Sequence, residues 1–417
     1  MASTTIPSAQ QVYDELVKTY TNRVSAETKD ELVSSLIQTF TTRFEVIQNQ
    51  SSNHDDVAAA YSNIFELKKL LDVKFAKDID CKYVFTGSTP NSYGCDLREL
   101  IYNRDGTLTT NGAKLVELFE SISERYLSQD NVTKKSHTLT DIDDTVYPNP
   151  AHGIAVAGVD KMWVAHQPYP GVKELHSQLN SSPNSSGYTT IVSAAPGVIK
   201  LKKLNATVLI DLFGENNFAF IQGEEGKGAL LKSVGSIIST VVKRGDNPDG
   251  AYYKGIGDVK LRRILEYSNI FPERNFIWIG DNGQADERVG AKLLEKDKAR
   301  YTVCIHIVRD VKEQNPDIIY FSSYPELANI LKSKNILSDT QAATVGDSAQ
   351  AVCKLDVNKS AKQEQRAIHC PTSQNTGMGG RSKTFRRRKI HKSRRPRKST
   401  IRNNKKNTRR QRRQPRV

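Results

Sequence analysis

No window of this 417-residue chain approaches eighteen consecutive apolar residues, so no membrane-spanning helix is expected. The first residues, MASTTIPSAQQVYDELVKTY, lack a basic start followed by an apolar run, which argues against a secretory leader. Cysteine is scarce: Cys81, Cys95, Cys304, Cys353 and Cys370 are odd in number and nowhere spaced CxxC. That pattern argues against a disulfide framework and a zinc knuckle, and it fits a reducing, intracellular compartment, whether cytoplasmic, nuclear or at a membrane periphery. Acidic residues are missing from one segment in particular. Residues 381–417 hold 19 Lys/Arg and no Asp or Glu, within a chain whose formal charge is +15. Residues 1–380 are left with 42 basic and 46 acidic side chains, about −4, so the basicity is an appendage on a nearly neutral body.

What is present divides into four segments. Residues 1–135 read as a mainly helical region: Val12, Leu16, Val17 and Tyr20 recur at helical spacing, and Leu32, Leu36, Ile37, Phe40 and Phe44 continue on a second element. Thr28 and Glu31 have the spacing of a capping box for that second helix, and a third helix is expected after Asp55. "KYVFTG" reads as a short strand and "NGAKLVELFESISERYL" as a further helix. Over 136–336, strand-like runs ("HTLTD", "YTTIVS", "NFAFIQ", "NFIWIG", "YTVCIHIV", "IIYF") alternate with helical patterns ("GVKELHSQL", "VKLRRILEYS", "ADERVGAKLLEKD", "YPELANILKSK"). Such alternation predicts an α/β fold of three layers, Rossmann-like, with a parallel sheet between helices. Residues 337–380 lose periodicity and read as a disordered linker, and 381–417 as a polybasic tail without a core.

In an open parallel sheet, ligands bind beyond the carboxyl ends of the strands. Asp141, Asp143 and Asp144 crowd into "TDIDDTVY" at the end of the first strand of this series. A calcium loop of the EF-hand kind would need Gly and Glu where the chain has Val146 and His152, so that reading fails. The second strand ends at Ser193. The fourth ends in "GDNGQAD", which presents Asp281 and Asp286, and the helix before it offers Lys254 or Lys260. An acid, a hydroxyl, a lysine and an acid pair in that order suit phosphoryl transfer through an aspartyl-phosphate. A phosphate ester repels a carboxylate, so the attack needs a hard divalent cation such as magnesium, for which Asp141, Asp281, Asp286 and the Asp143 carbonyl are the candidate ligands. Asp141 is then the candidate nucleophile and Asp143 the general acid and base. Ser193 and the lysine, joined by Thr145 and Gly283, are the candidate contacts to the phosphoryl oxygens. Residues 146–168 follow the nucleophile directly and are the candidate flap.

These motifs resemble those of the haloacid dehalogenase (HAD) phosphatase superfamily. More narrowly, "DIDDT", Pro170-Gly171-Val172, the strand end Ser193 to Pro196, Lys260, Phe271-Pro272 and Gly280 to Asp286 are similar to the catalytic domain of the actin-patch-associated phosphatidate phosphatases, relatives of the lipins. The resemblance implies a HAD domain over 136–336, Mg2+ as cofactor, phosphatidate as the substrate, and Lys260 rather than Lys254 as the motif lysine. It departs from the family at Asn282, where a Ser is usual, and at Glu287-Arg288, where Pro-Glu is usual.

The tail fits three partners: nucleic acid, an anionic membrane surface, or a nuclear import receptor. With Phe385 as its one aromatic residue, base stacking is not expected of it. Within an enzyme reading, nucleic-acid ends and phosphoproteins are therefore rival substrates to phosphatidate, and an inactive binding module is the rival to an enzyme.

Overall fold

The structure is a computed structural model that describes residues 7–21, 26–49, 54–78, 97–103, 105–148, 160, 163–193, 203–221, 251–311, 313–355 and 368–370. The "KYVFTG" segment, most of the candidate flap and the tail 381–417 lie outside the described residues.

Six parallel strands form one sheet. They are β1 (Lys135–Thr140), β2 (Ser185–Val192), β3 (Phe218–Ile221), β4 (Arg274–Asp281), β5 (Tyr301–His306) and β6 (Ile319–Phe321). Their spatial order is β3-β2-β1-β4-β5-β6, every neighbouring pair is parallel, and helices cover both faces, a Rossmann-like α/β arrangement. Central strands buried on both sides must be apolar or internally satisfied throughout, and β4 is buried at every position except Asn275. Alternate residues serve opposite layers: Phe276 and Trp278 belong to one core, Ile277 and Ile279 to the other.

The first core is capped by α1 (Ala9–Tyr20), α2 (Ala26–Asn49), α3 (His54–Val73), α4 (Phe75–Asp78), α5 (Leu97–Ile101) and α6 (Thr110–Leu127). Two later helices, α9 (Ala251–Ile270) and α10 (Asp286–Asp297), join them on that face. The N-terminal helices thus have no core separate from the sheet: Tyr13, Leu36, Phe40 and Phe119 share one cluster with Leu139, Phe276 and Trp278. Buried polar pairs stitch the two regions together. Lys68 Nζ lies 2.9 Å from Glu273 and 4.3 Å from the Phe119 ring centroid. The hydroxyls of Tyr188 and Tyr267 donate to Asp72 at 2.7 and 2.6 Å. The expected cap at Thr28 is not where α2 begins, since that helix already runs from Ala26. Capping boxes occur instead at Ser8–Gln11 and Ser338–Gln341.

The second core lies under α7 (Val172–Ser181), α8 (Lys203–Phe213), α11 (Tyr324–Ser333) and α12 (Asp339–Cys353). Over Asp339–Cys353, helix α12 corrects the expectation of a disordered linker, while residues 356–367 and 371–380 of that segment lie outside the described residues. The helix packs on α11 and α7 through Ala342, Val345, Ala349 and Cys353, a stripe of small residues with little apolar signal. Cys353 is joined to Cys370 by a disulfide, a pairing the odd count and irregular spacing gave no reason to expect, while Cys304 is free and buried. The two half-cystines stand 17 residues apart, a loop whose closure stabilises by about 3 kcal/mol in the chain-entropy picture. Cys353→Ser is therefore expected to lower the urea midpoint of the oxidised protein and to abolish its sensitivity to dithiothreitol. An unchanged midpoint would show that the bridge constrains nothing. Among the described residues, no helix is long and apolar enough to cross a membrane.

Candidate active site

The strand order turns back between β1 and β4: the chain builds outward from β1 to β3, then returns to the other side of β1. Crevices form beyond the carboxyl ends of strands at such a reversal. Asp141 follows β1 and Asp281 ends β4, with Thr140 opposite Ile279 and the Asp141 amide donating to the Ile279 carbonyl at 3.0 Å. The two carboxylates thus flank the switch point. On the other side of β1, Thr140 pairs with Ile191, so Ser193 emerges two residues later at the same sheet edge. Ser193 is half-buried, and its amide donates to the Ile221 carbonyl at 3.0 Å.

Asp286 opens α10, where a carboxylate also suits the positive end of the helix dipole. It reaches back under the strand end because residue 280 is glycine: a Cβ there would stand 2.5 Å from Asp286 Cβ. Asp141, Asp281 and Asp286 are all buried, and each offers an oxygen within 4.8 Å of the others, a cluster capable of coordinating a metal ion. The second oxygens of Asp141 and Asp281 have no hydrogen-bond partner, as expected of ligand atoms turned towards a cation. The donor set is all oxygen and so fits magnesium in preference to a soft metal.

Lys260, on α9, is 2% exposed and holds two of these carboxylates, with Nζ 2.9 Å from Asp141 Oδ1 and 2.6 Å from Asp286 Oδ1. Burial opposes its charge, but Asp141 and Asp286 more than offset that, so its pKa is raised. Lys254 is exposed and contributes its carbonyl to Arg288 at 3.1 Å, away from the cluster. Burial and the Asp286 carboxylate push the Asp141 pKa well above the ordinary carboxylate range, against the pull of Lys260. Asp281 is raised likewise, by burial and then by Asp286, Asp144 and Asp141.

These shifts set a pH dependence. A raised carboxylate pKa means the folded state holds protons that the unfolded chain has already lost, so metal-free stability falls as pH rises from the ordinary carboxylate range through the raised values. A cation replaces those protons. Mg2+ is therefore expected to raise the melting temperature at pH 8 over that in EDTA, with the gain shrinking towards pH 5. Identical melts in Mg2+ and EDTA at pH 8 would refute cation binding here.

The remaining candidates are placed as follows. Asp143 is half-buried and bridged to Tyr147. Thr145 is fully buried with its hydroxyl unpartnered, and its carbonyl accepts from the Tyr324 hydroxyl. The Gly283 amide donates to Asp281 Oδ1 at 2.6 Å and so orients a carboxylate of the cluster. Asn282, the departure noted above, ties the loop down. Its Oδ1 accepts from Val308 and Arg309 amides at 2.8 and 3.0 Å, and its Nδ2 donates to the Arg309 carbonyl at 2.8 Å. Glu287 accepts from the Tyr320 hydroxyl at 2.6 Å.

Three further residues were given no chemical role by the sequence. Asp144 adopts φ 60° and accepts the Asp160 amide at 3.1 Å, adding a fourth buried carboxylate whose charge acts on Asp281. His306 pairs in register with Asp281 and bonds the Asp144 carbonyl through Nδ1 at 2.9 Å. Tyr147 is the third. No family model matches the chain, and no curated protein or solved structure matches it.

Proposed function

We propose that the protein is a magnesium-dependent phosphomonoester hydrolase of the HAD type that works through an aspartyl-phosphate on Asp141. The observation that carries this reading is the single ammonium of Lys260 clamped between Asp141 and Asp286, with Asp281 completing the cluster across the switch point. Asp141, Asp281, Asp286 and the Asp143 carbonyl are the groups that would hold Mg2+, which supplies the positive charge that lets a carboxylate approach an anionic ester.

Asp141 attacks phosphorus, and the bond to the leaving oxygen breaks. Asp143 gives its proton to that oxygen, then takes one from the water that attacks phosphorus and frees Asp141 with release of orthophosphate. Lys260, held in place by two carboxylates, fixes the orientation of the nucleophile, and with Ser193 and the Thr145 hydroxyl it hydrogen-bonds the non-bridging phosphoryl oxygens. Four buried carboxylates around one lysine would be a costly way to build a purely structural core, which supports chemistry over a binding module.

Phosphatidate is the favoured substrate, on the strength of the motif resemblance, with the tail 381–417 recruiting the protein to an anionic bilayer. The rival is a phosphorylated nucleic-acid end or protein, brought by the same basic tail. Phosphate release with and without Mg2+ from phosphatidate in mixed micelles, a 3′-phosphorylated oligonucleotide and a phosphopeptide decides between them. Release from none of the three would refute the hydrolase reading.

A further inference from the structure

The turn that closes the loop after Asp141 brings residue 147 back beside residue 143. The Asp144 amide donates to the Tyr147 carbonyl at 2.9 Å, and the Tyr147 amide meets the Ile142 carbonyl at 3.4 Å. Asp143 and Tyr147 form a parallel bridge, so the chain doubles back and lays residue 147 beside residue 143. The Tyr147 ring is anchored in the second core with Ile142 and Val146, and His166 stands edge-on to it at 6.2 Å.

Its hydroxyl is the anomaly. Tyr147 is 1% exposed, yet the phenolic oxygen has no hydrogen-bond partner. Buried tyrosine hydroxyls normally find one, and leaving a buried polar group unsatisfied costs about 1–3 kcal/mol. Of the equally buried tyrosines, Tyr324, Tyr188, Tyr267 and Tyr169 donate to an oxygen of the protein, while Tyr61, packed on the Phe65 and Tyr126 rings, shares the unpartnered hydroxyl but not the neighbouring Asp143. The local environment also fixes which role the hydroxyl plays. A phenol keeps its proton at neutral pH and so acts as a donor, and the charges that act on this one are those of Asp143 and Asp141.

We infer that Tyr147 is a substrate-contacting residue that donates a hydrogen bond to the oxygen bridging phosphorus and the leaving group. This rests on the hydrolase reading above. As the phosphorus–oxygen bond breaks, its electron pair moves to the leaving oxygen. Asp143 supplies the proton that this oxygen finally carries, and Tyr147 stabilises the charge developing on it while keeping its own proton. A donor aimed at developing charge matters most where the charge is largest, so the contribution must grow as the leaving group becomes poorer.

The test is Tyr147→Phe, which removes one oxygen and leaves the ring in place, assayed with Mg2+ on a series from p-nitrophenyl phosphate to simple alkyl phosphates. kcat/KM is expected to fall about 100-fold for the alkyl esters, the scale of losing one charge-stabilising donor, but little for p-nitrophenyl phosphate, with a melting temperature equal to or above wild type. A flat loss across the series, or none, would overturn the inference. So would a destabilised variant, because it would mean the hydroxyl is held by the protein itself. If the wild type hydrolyses no member of the series and none of the three substrates above, the hydrolase reading falls and takes this one with it; if the wild type is active and Asp141-dependent on any of them while Tyr147→Phe is indistinguishable from it on the same alkyl ester, phosphatidate included, this inference alone fails.

Discussion

Asp141→Asn is expected to leave a folded protein whose phosphate release is slower by on the order of 10⁴-fold or more, the scale of deleting a nucleophile. The fold should survive for a local reason. The asparagine oxygen can still accept from Lys260 Nζ, which stands 2.9 Å from Asp141 Oδ1 and keeps Asp286 as a second partner. The substitution also removes a buried carboxylate whose own pKa is raised by burial and by Asp286 and whose charge in turn raises that of Asp281, so the metal-free melting temperature should hold or rise. Trapping with a ³²P-labelled substrate checks the covalent step: acid-stable label on the wild-type chain and none on the variant. Undiminished turnover by the purified variant would remove Asp141 from the chemistry.

Lys260→Met is expected to do the opposite, damaging the fold as well as the activity. Among the described residues, Lys260 carries the one cationic group bonded to Asp141 and Asp286, and removing one member of a buried pair leaves the other charge uncompensated at a cost of about 3–5 kcal/mol. For a domain of this size that is a fall of roughly 10 °C in melting temperature. Because the carboxylates left behind are penalised when ionised, the loss should deepen as pH rises and shrink in acid. The double variant Lys260→Met with Asp286→Asn should melt above the single one. A single variant as stable as wild type would mean that solvent or a cation already compensates the carboxylates.

Much of this architecture was legible in the sequence, because β-branched and aromatic runs mark buried parallel strands and the residues just past them mark a site. Asp141, Ser193, Asp281 and Asp286 could be placed at strand ends from order alone. Three features escaped. The buried stripe of α12 is made of Ala342, Val345, Ala349 and Cys353, whose small side chains give too weak a pattern to stand out, although "SDTQ" held a capping box. The apolar faces of α1 to α6 announced helices but could not reveal that their partner was the sheet itself. The third is the use of the Gly283 amide by Asp281 Oδ1, a pairing that only the turn geometry creates.

The reversal of strand order between β1 and β4 also bears on how the protein is made. Asp141 leaves the ribosome about 140 residues ahead of Asp281 and Asp286. In that interval β1 can pair only with β2, which is built next, and its other edge stays open until β4 arrives. Long-range parallel pairing of this kind is slow, and an unpaired edge in a nascent chain invites mispairing. The described N-terminal helices emerge before β1 and share its hydrophobic cluster, so they are on hand to cover one face of the strand while it waits. Asp141 is synthesised early, but Lys260 and the acidic partners arrive together, and the cluster can assemble only when the second half of the sheet closes onto the first.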